Sequence, residues 1–157
     1  MKRAVILLLT VRLLSVFGCA AQEDIFGLSP ENFTIVKESD SHGGFLGDGL
    51  YALTLDCGQN RDKALETVSA WKALPLSENL QLVLYGGERN GTSYAYGLAR
   101  EAEIPTVEKG WYCFLDRHDQ AADRANDAAL FGRASFNFSL AIYDAETDRL
   151  YYLEFDT

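Results

Sequence analysis

The chain is short of positive charge. It carries 14 lysines and arginines against 23 aspartates and glutamates, a formal net charge of −9. A surface of that sign repels nucleic-acid phosphates and anionic lipid headgroups, so polyanion binding is not expected. Nucleotide signatures are missing as well. No glycine-rich loop ends in Gly-Lys-Ser/Thr, and no Gly-x-Gly-x-x-Gly opens a helix. No Gly-x-Ser-x-Gly elbow is present, which removes a common serine-hydrolase framework. There are only two histidines, His42 and His118, so no His-x-x-x-His pair exists to seat zinc. Internal repeats and low-complexity tracts are lacking. Cysteine is scarce too: the three are Cys19, Cys57 and Cys113.

What is present begins at the first residue. Lys2 and Arg3 precede a largely apolar run over 4–11, which residues 13–17 nearly continue. Residues 4–18 are too few for a transmembrane helix, which needs about 20. A positive start, a short apolar stretch and small residues is the layout of an export signal. Val16-Phe17-Gly18-Cys19 resembles the lipobox of small, uncharacterised bacterial lipoproteins. The looser resemblance extends to residues 40–49, 74–80, 116–118 and 151–157, and it brings no activity with it.

That resemblance implies removal of residues 1–18 and attachment of lipid to Cys19. Gly18, Ala20 and Ala21 also suit ordinary signal cleavage, which would give a secreted protein. Removing 1–18 takes Lys2, Arg3 and Arg12 and no acid. It leaves 11 basic against 23 acidic residues, a net charge of −12. The membrane contact would then come from lipid rather than from a basic face, and stable anchoring takes two such signals. Cys57 and Cys113 are left as an even pair in an oxidising compartment, where a disulfide is permitted. Two buried thiols are the competing reading.

Residues 19–31 read as a short tether and 32–157 as a single domain. Hydrophobic residues make up 48% of the chain and aromatics 12%, enough to build a core without a metal. The spacing predicts an α+β fold: one antiparallel sheet of about five to seven strands, with one main helix packed on one face. The helix is expected over 61–73, with Asn60 as its cap, an apolar stripe at Ala64, Leu65, Val68 and Trp71, and Pro75 as its stop. Strands are expected over 33–38, 50–56, 80–85 and 111–116. Phe136, Phe138, Leu140 and Ile142 alternate with polar or small neighbours, and residues 149–156 form the return strand of a hairpin. Asp148 suits a left-handed turn position. Residues 92–98 are ambiguous between strand and helix, and the Asn90-Gly91-Thr92 sequon is read as a chance match.

Two loops hold the candidate chemistry. Asp40-Ser41-His42-Gly43-Gly44-Phe45-Leu46-Gly47-Asp48-Gly49 packs four glycines and three ionisable side chains between two strands. It is either a long hairpin loop or a binding loop presenting Asp40, His42 and Asp48. Asp116-Arg117-His118-Asp119 contains the other histidine. Were the loops to meet, His42, His118 and the aspartates would form a metal or acid–base site. Otherwise Asp116 and Arg117 pair locally. No cofactor is implied.

The tyrosines Tyr94, Tyr96, Tyr112, Tyr143, Tyr151 and Tyr152 either line a carbohydrate- or peptide-binding face or belong to the core. The expected function is non-catalytic binding of a protein, peptide or glycan by a membrane-anchored extracytoplasmic domain. The alternative is an extracytoplasmic hydrolase or metal-dependent enzyme using His42 and His118.

Overall fold

The strand Asn137–Asp144 organises the molecule. A computed structural model describes residues 24–43 and 47–157. The signal-like segment and Cys19 lie outside them. Period-2 alternation sends Phe138, Leu140 and Ile142 to one face of a sheet and Ser139, Ala141 and Tyr143 to the other. All six are buried, so the strand is covered on both sides.

Around it stand β1 (Thr34–Asp40), β2 (Gly49–Asp56), α1 (Arg61–Val68), β3 (Lys72–Ala73), α2 (Glu78–Tyr85), β4 (Gly87–Arg89), β5 (Thr92–Tyr94), α3 (Leu98–Glu101) and β6 (Gly110–Asp116). The central strand is β7, and β8 (Arg149–Asp156) follows it. Six strands form one antiparallel sheet in the order β1-β2-β8-β7-β6-β3, while β4 and β5 make a separate ribbon. The fold is α+β.

The first face of the sheet packs Leu50, Tyr112, Phe114, Leu140 and Leu153 against Leu80, Val83 and Leu84 of α2 and Leu98 of α3. The second face packs Leu53, Leu55, Ala141, Tyr143 and Leu150 against Ala64 and Val68 of α1. Each large aliphatic side chain so buried contributes roughly 1.5–3 kcal/mol. Asp148 takes its left-handed conformation at φ 52°. Its Oδ1 accepts from the Tyr143 hydroxyl at 2.8 Å and from Arg61 Nε at 2.9 Å, tying the β7–β8 turn to α1.

Several expectations are corrected. The main helix ends at Val68, not 73. The Trp71 N–H turns back to the Val68 carbonyl, and Lys72–Ala73 then satisfies its backbone on β6. The run 80–85 is helix α2 rather than a strand. Ser77 caps it, its Oγ accepting from the Leu80 N–H at 3.2 Å, and Leu80, Val83 and Leu84 share the buried side. Residues 92–98 hold the end of the ribbon and then α3. Asn90 and Gly91, at φ 52° and 76°, form the ribbon's turn.

The expected tether yields at Ile25: Ile25 and Leu28 are buried in the second core and exchange backbone hydrogen bonds. Of the two readings of the cysteine pair, the disulfide is not seen: Cys57 and Cys113 are both free. Cys57 follows β2 and Cys113 lies in β6, with β8 and β7 between them. Strands lie about 4.8 Å apart, so three spacings far exceed the roughly 7 Å that a disulfide spans. Among the described residues no helix is long and apolar enough to cross a membrane.

Candidate functional site

The second face is covered by α1 over only half of its length. Toward the other end the same strands turn polar. Pairing register shows why these residues gather. Asp40 lies opposite Tyr51, Tyr51 opposite Glu154, and Glu154 opposite Ser139. Residues directly opposite in antiparallel strands share a face, so these four form one row across the sheet. The next row outward begins with Asp156, which lies opposite both Gly49 and Asn137. Arg117 extends that row, its N–H donating to the Asn137 carbonyl at 2.7 Å.

His42 closes the row on the far side. Its Nδ1 stands 2.6 Å from Asp40 Oδ1, and its Nε2 stands 3.1 Å from Asp156 Oδ2. The backbone N–H of His42 donates to the same Asp40 oxygen at 2.8 Å. Arg117 Nη2 reaches Asp156 Oδ2 at 2.8 Å and also donates to the Phe138 carbonyl at 3.2 Å. Asp156 is therefore shared between an imidazole and a guanidinium. Gly49 makes the arrangement possible: a Cβ there would lie 2.5 Å from His42 Cα.

Electrostatics follow the geometry. Burial pulls the His42 pKa down, but the hydrogen bonds to Asp40 and Asp156 and their charges outweigh it, and the net shift is upward. The His42 backbone N–H, then its ring, holds the Asp40 carboxyl below its ordinary range. With a carboxylate at each nitrogen the ring is set to donate twice, which only the imidazolium does. It clamps the loop to β8 and keeps no free nitrogen for proton transfer or metal ligation.

Beside the clamp lies a cavity of about 240 Å³. Asp40, His42, Tyr51, Tyr152 and Glu154 line it, with Ile25 and Leu53 supplying apolar surface. The Tyr51 and Tyr152 rings meet edge to face at 6.2 Å. The Tyr51 hydroxyl donates to Glu38 Oε1 at 2.8 Å, and the Tyr152 hydroxyl donates to Glu154. Rings, phenol oxygens and carboxylates together suit a cation or a hydroxyl-rich group. A more open hollow of about 470 Å³ lies against Asp48, Arg117, Asn137 and Asp156.

The structure thus joins Asp40, His42 and Arg117 and places Asp48 at their border. Asp116 and His118 stand apart. Asp116 is 1% exposed and forms its ion pair with Arg133, not with Arg117. It also accepts the His118 N–H at 3.1 Å. His118 Nδ1 accepts from the Gln120 N–H and faces Asp119 at 2.9 Å. The two histidines share no partner, and among the described residues no three His, Cys, Asp or Glu side chains are grouped to hold a metal. Of the six tyrosines, Tyr112, Tyr143 and Tyr151 are core, and Tyr94 and Tyr96 pack on Phe131. Of these six, Tyr152 alone lines the cavity, beside Tyr51.

Tyr51, Glu154 and Asp156 were not singled out by motif. For Glu154 and Asp156 the signal is a change of polarity along one face of β8: Leu150 and Tyr152 give way to Glu154 and Asp156. No family model, curated protein or solved structure matches this chain.

Proposed function

We propose that the chain is an extracytoplasmic lipoprotein, anchored through Cys19, whose domain binds a protein, peptide or glycan without catalysis. The cavity beside the His42 clamp carries this reading. It offers two tyrosines and two carboxylates to a ligand, and its histidine has no nitrogen left for chemistry. A general base needs an available nitrogen or oxygen within hydrogen-bond reach of the reacting proton. Both nitrogens of His42 are engaged. The thiols offer no alternative: burial pushes Cys57 up to about 12 and raises Cys113 as well, so neither supplies a ready thiolate. The acidic composition and the resemblance of residues 16–19 to a lipobox support the anchored location.

Two measurements test the proposal. Expressed in a bacterial host, the Cys19→Ala chain is expected to lose incorporation of labelled fatty acid and to leave the processed membrane fraction. A Cys19→Ala chain that still acquires label refutes the anchor. Separately, glycan and peptide arrays probed with the full chain should give ligands whose binding falls at least tenfold in Tyr152→Ala, a change of about 1.4 kcal/mol. Binding indifferent to Tyr152→Ala places the site elsewhere.

A further inference from the structure

We infer that the ligand is an extended cationic peptide that pairs with the free edge of β1 and delivers a lysine or arginine side chain to the cavity. The inference rests on the binding reading above and narrows it. β1 is the terminal strand of the sheet, and among the described residues only β2 pairs with it. Six of its seven residues are exposed, including Ile35 and Val36 at 46% and 47%. An uncovered edge of this kind is a template for strand addition, in which backbone hydrogen bonds give affinity and alternate side chains give specificity.

The register decides which side chains the added strand meets. Ile35, Glu38 and Asp40 lie opposite Leu55, Leu53 and Tyr51, so all three share the second face with the cavity. Glu38 is held by the Tyr51 hydroxyl, and Asp40 is itself a wall of the cavity. A strand laid along β1 sets two of its residues, spaced by two, about 4.5–5.5 Å from these carboxylates, measured between Cβ atoms. Basic residues at that spacing match them. The one cation of β1, Lys37, points to the other face and is paired with Glu103 at 2.6 Å. The seam on the cavity side therefore carries two carboxylates, with Asp40 also held by the His42 ring and Glu38 held by a neutral phenol.

The same charge disfavours a second copy of this chain, whose own Glu38 and Asp40 would enter the same seam. The bulge between Ile35 and Lys37 also interrupts the edge, as edges protected from self-pairing often are. It leaves residues 37–40, beside the cavity, as the regular part.

The experiment uses the full chain in detergent micelles and three capped synthetic hexapeptides, followed by calorimetry and amide hydrogen exchange. The first is Thr-Lys-Thr-Lys-Thr-Val. The second carries glutamate for both lysines. The third is the first with alternate backbone nitrogens methylated. The first is expected to bind and to slow exchange at residues 37–40. The other two are expected to bind at least tenfold more weakly. Glu38→Gln, which leaves the His42 clamp untouched, should weaken the first peptide several-fold, and Asp40→Asn should weaken it further.

Equal binding of the methylated peptide overturns strand addition while leaving the cavity as a cation site. Failure of every lysine peptide, with a glycan still bound and lost in Tyr152→Ala, overturns the inference and spares the binding reading. Sedimentation as a dimer with β1 amides already protected assigns the edge to a second copy and overturns it. So does protection of those amides in a monomer, which assigns the edge to the chain's own N-terminal segment.

Discussion

The second face of the sheet has two halves built from the same strands. In one half Leu55, Ala141, Tyr143 and Leu150 lie under α1, Ile25 and Leu28. In the other, Tyr51, Ser139, Glu154 and Asp156 carry the cavity and the His42 clamp. Strand geometry is common to both, so geometry does not distinguish them. What differs is the residue at every second position, apolar where a helix arrives and polar where none does. Alternation thus reveals which face is buried. The change of character along a face reveals where burial stops and a site begins.

Substitutions that keep the strands but alter one half separate the two roles. Leu150→Ala, in the covered half at 0% exposure, is expected to lose about 2–5 kcal/mol through lost burial and a residual cavity. Urea unfolding measures it, and a loss under about 1 kcal/mol would erase the distinction between the halves. Gly49→Ala, at the border, forces a methyl against the His42 backbone and should cost about 1–3 kcal/mol. The His42 ring resonances should move with it, because the clamp opens. Unchanged resonances would mean that the loop is held by something else.

A smaller effect is the pH dependence of the clamp. His42 binds its proton more tightly folded than unfolded. Its contribution is therefore complete below the ordinary histidine value of about 6.5 and is lost as pH rises through the raised value. Asp40 has the opposite sign, contributing above its ordinary value near 3.8 and losing that as pH falls through the lowered one. Melting temperature should decline as pH rises above about 6.5 through the raised value in the native chain, and His42→Ala should flatten that slope. A slope retained in His42→Ala assigns it to other groups. The smallest stability change is expected for Glu154→Gln in the open half, within about 0.5 kcal/mol.

Much of the frame was legible in the sequence. The β7–β8 hairpin was plain because alternation runs through β7, a Tyr- and Phe-rich run returns after a polar turn, and Asp148 stood where a left-handed turn residue was needed. The run 80–85 was misread because a short, mostly apolar run, broken only by Gln81, fits a buried strand and a buried helix equally well by periodicity. Ser77, whose side chain caps the helix, was the signal that separates them. Asn90-Gly91 was equally available as a turn. Of the site, Asp40, His42, Asp48 and Arg117 were marked by unusual local composition. Their meeting was not legible, because Asp156 joins them across 114 residues of separation from His42 and only register brings it there. The second histidine was drawn in by residue type alone, and its contacts are local.

The place of β8 between β2 and β7 has a consequence for how the chain is made. Among the described residues this strand comes last in sequence, yet it is the third in the sheet. Until it has emerged from the ribosome, β1 and β2 form a hairpin with nothing to join, and β6 and β7 form another. An isolated two-stranded hairpin is at best marginally stable in water. Completion of the sheet therefore waits for the last strand and depends on contacts about a hundred residues apart, which close slowly. Until β8 is made, the strands before it cannot close into the sheet and the segment stays threadable.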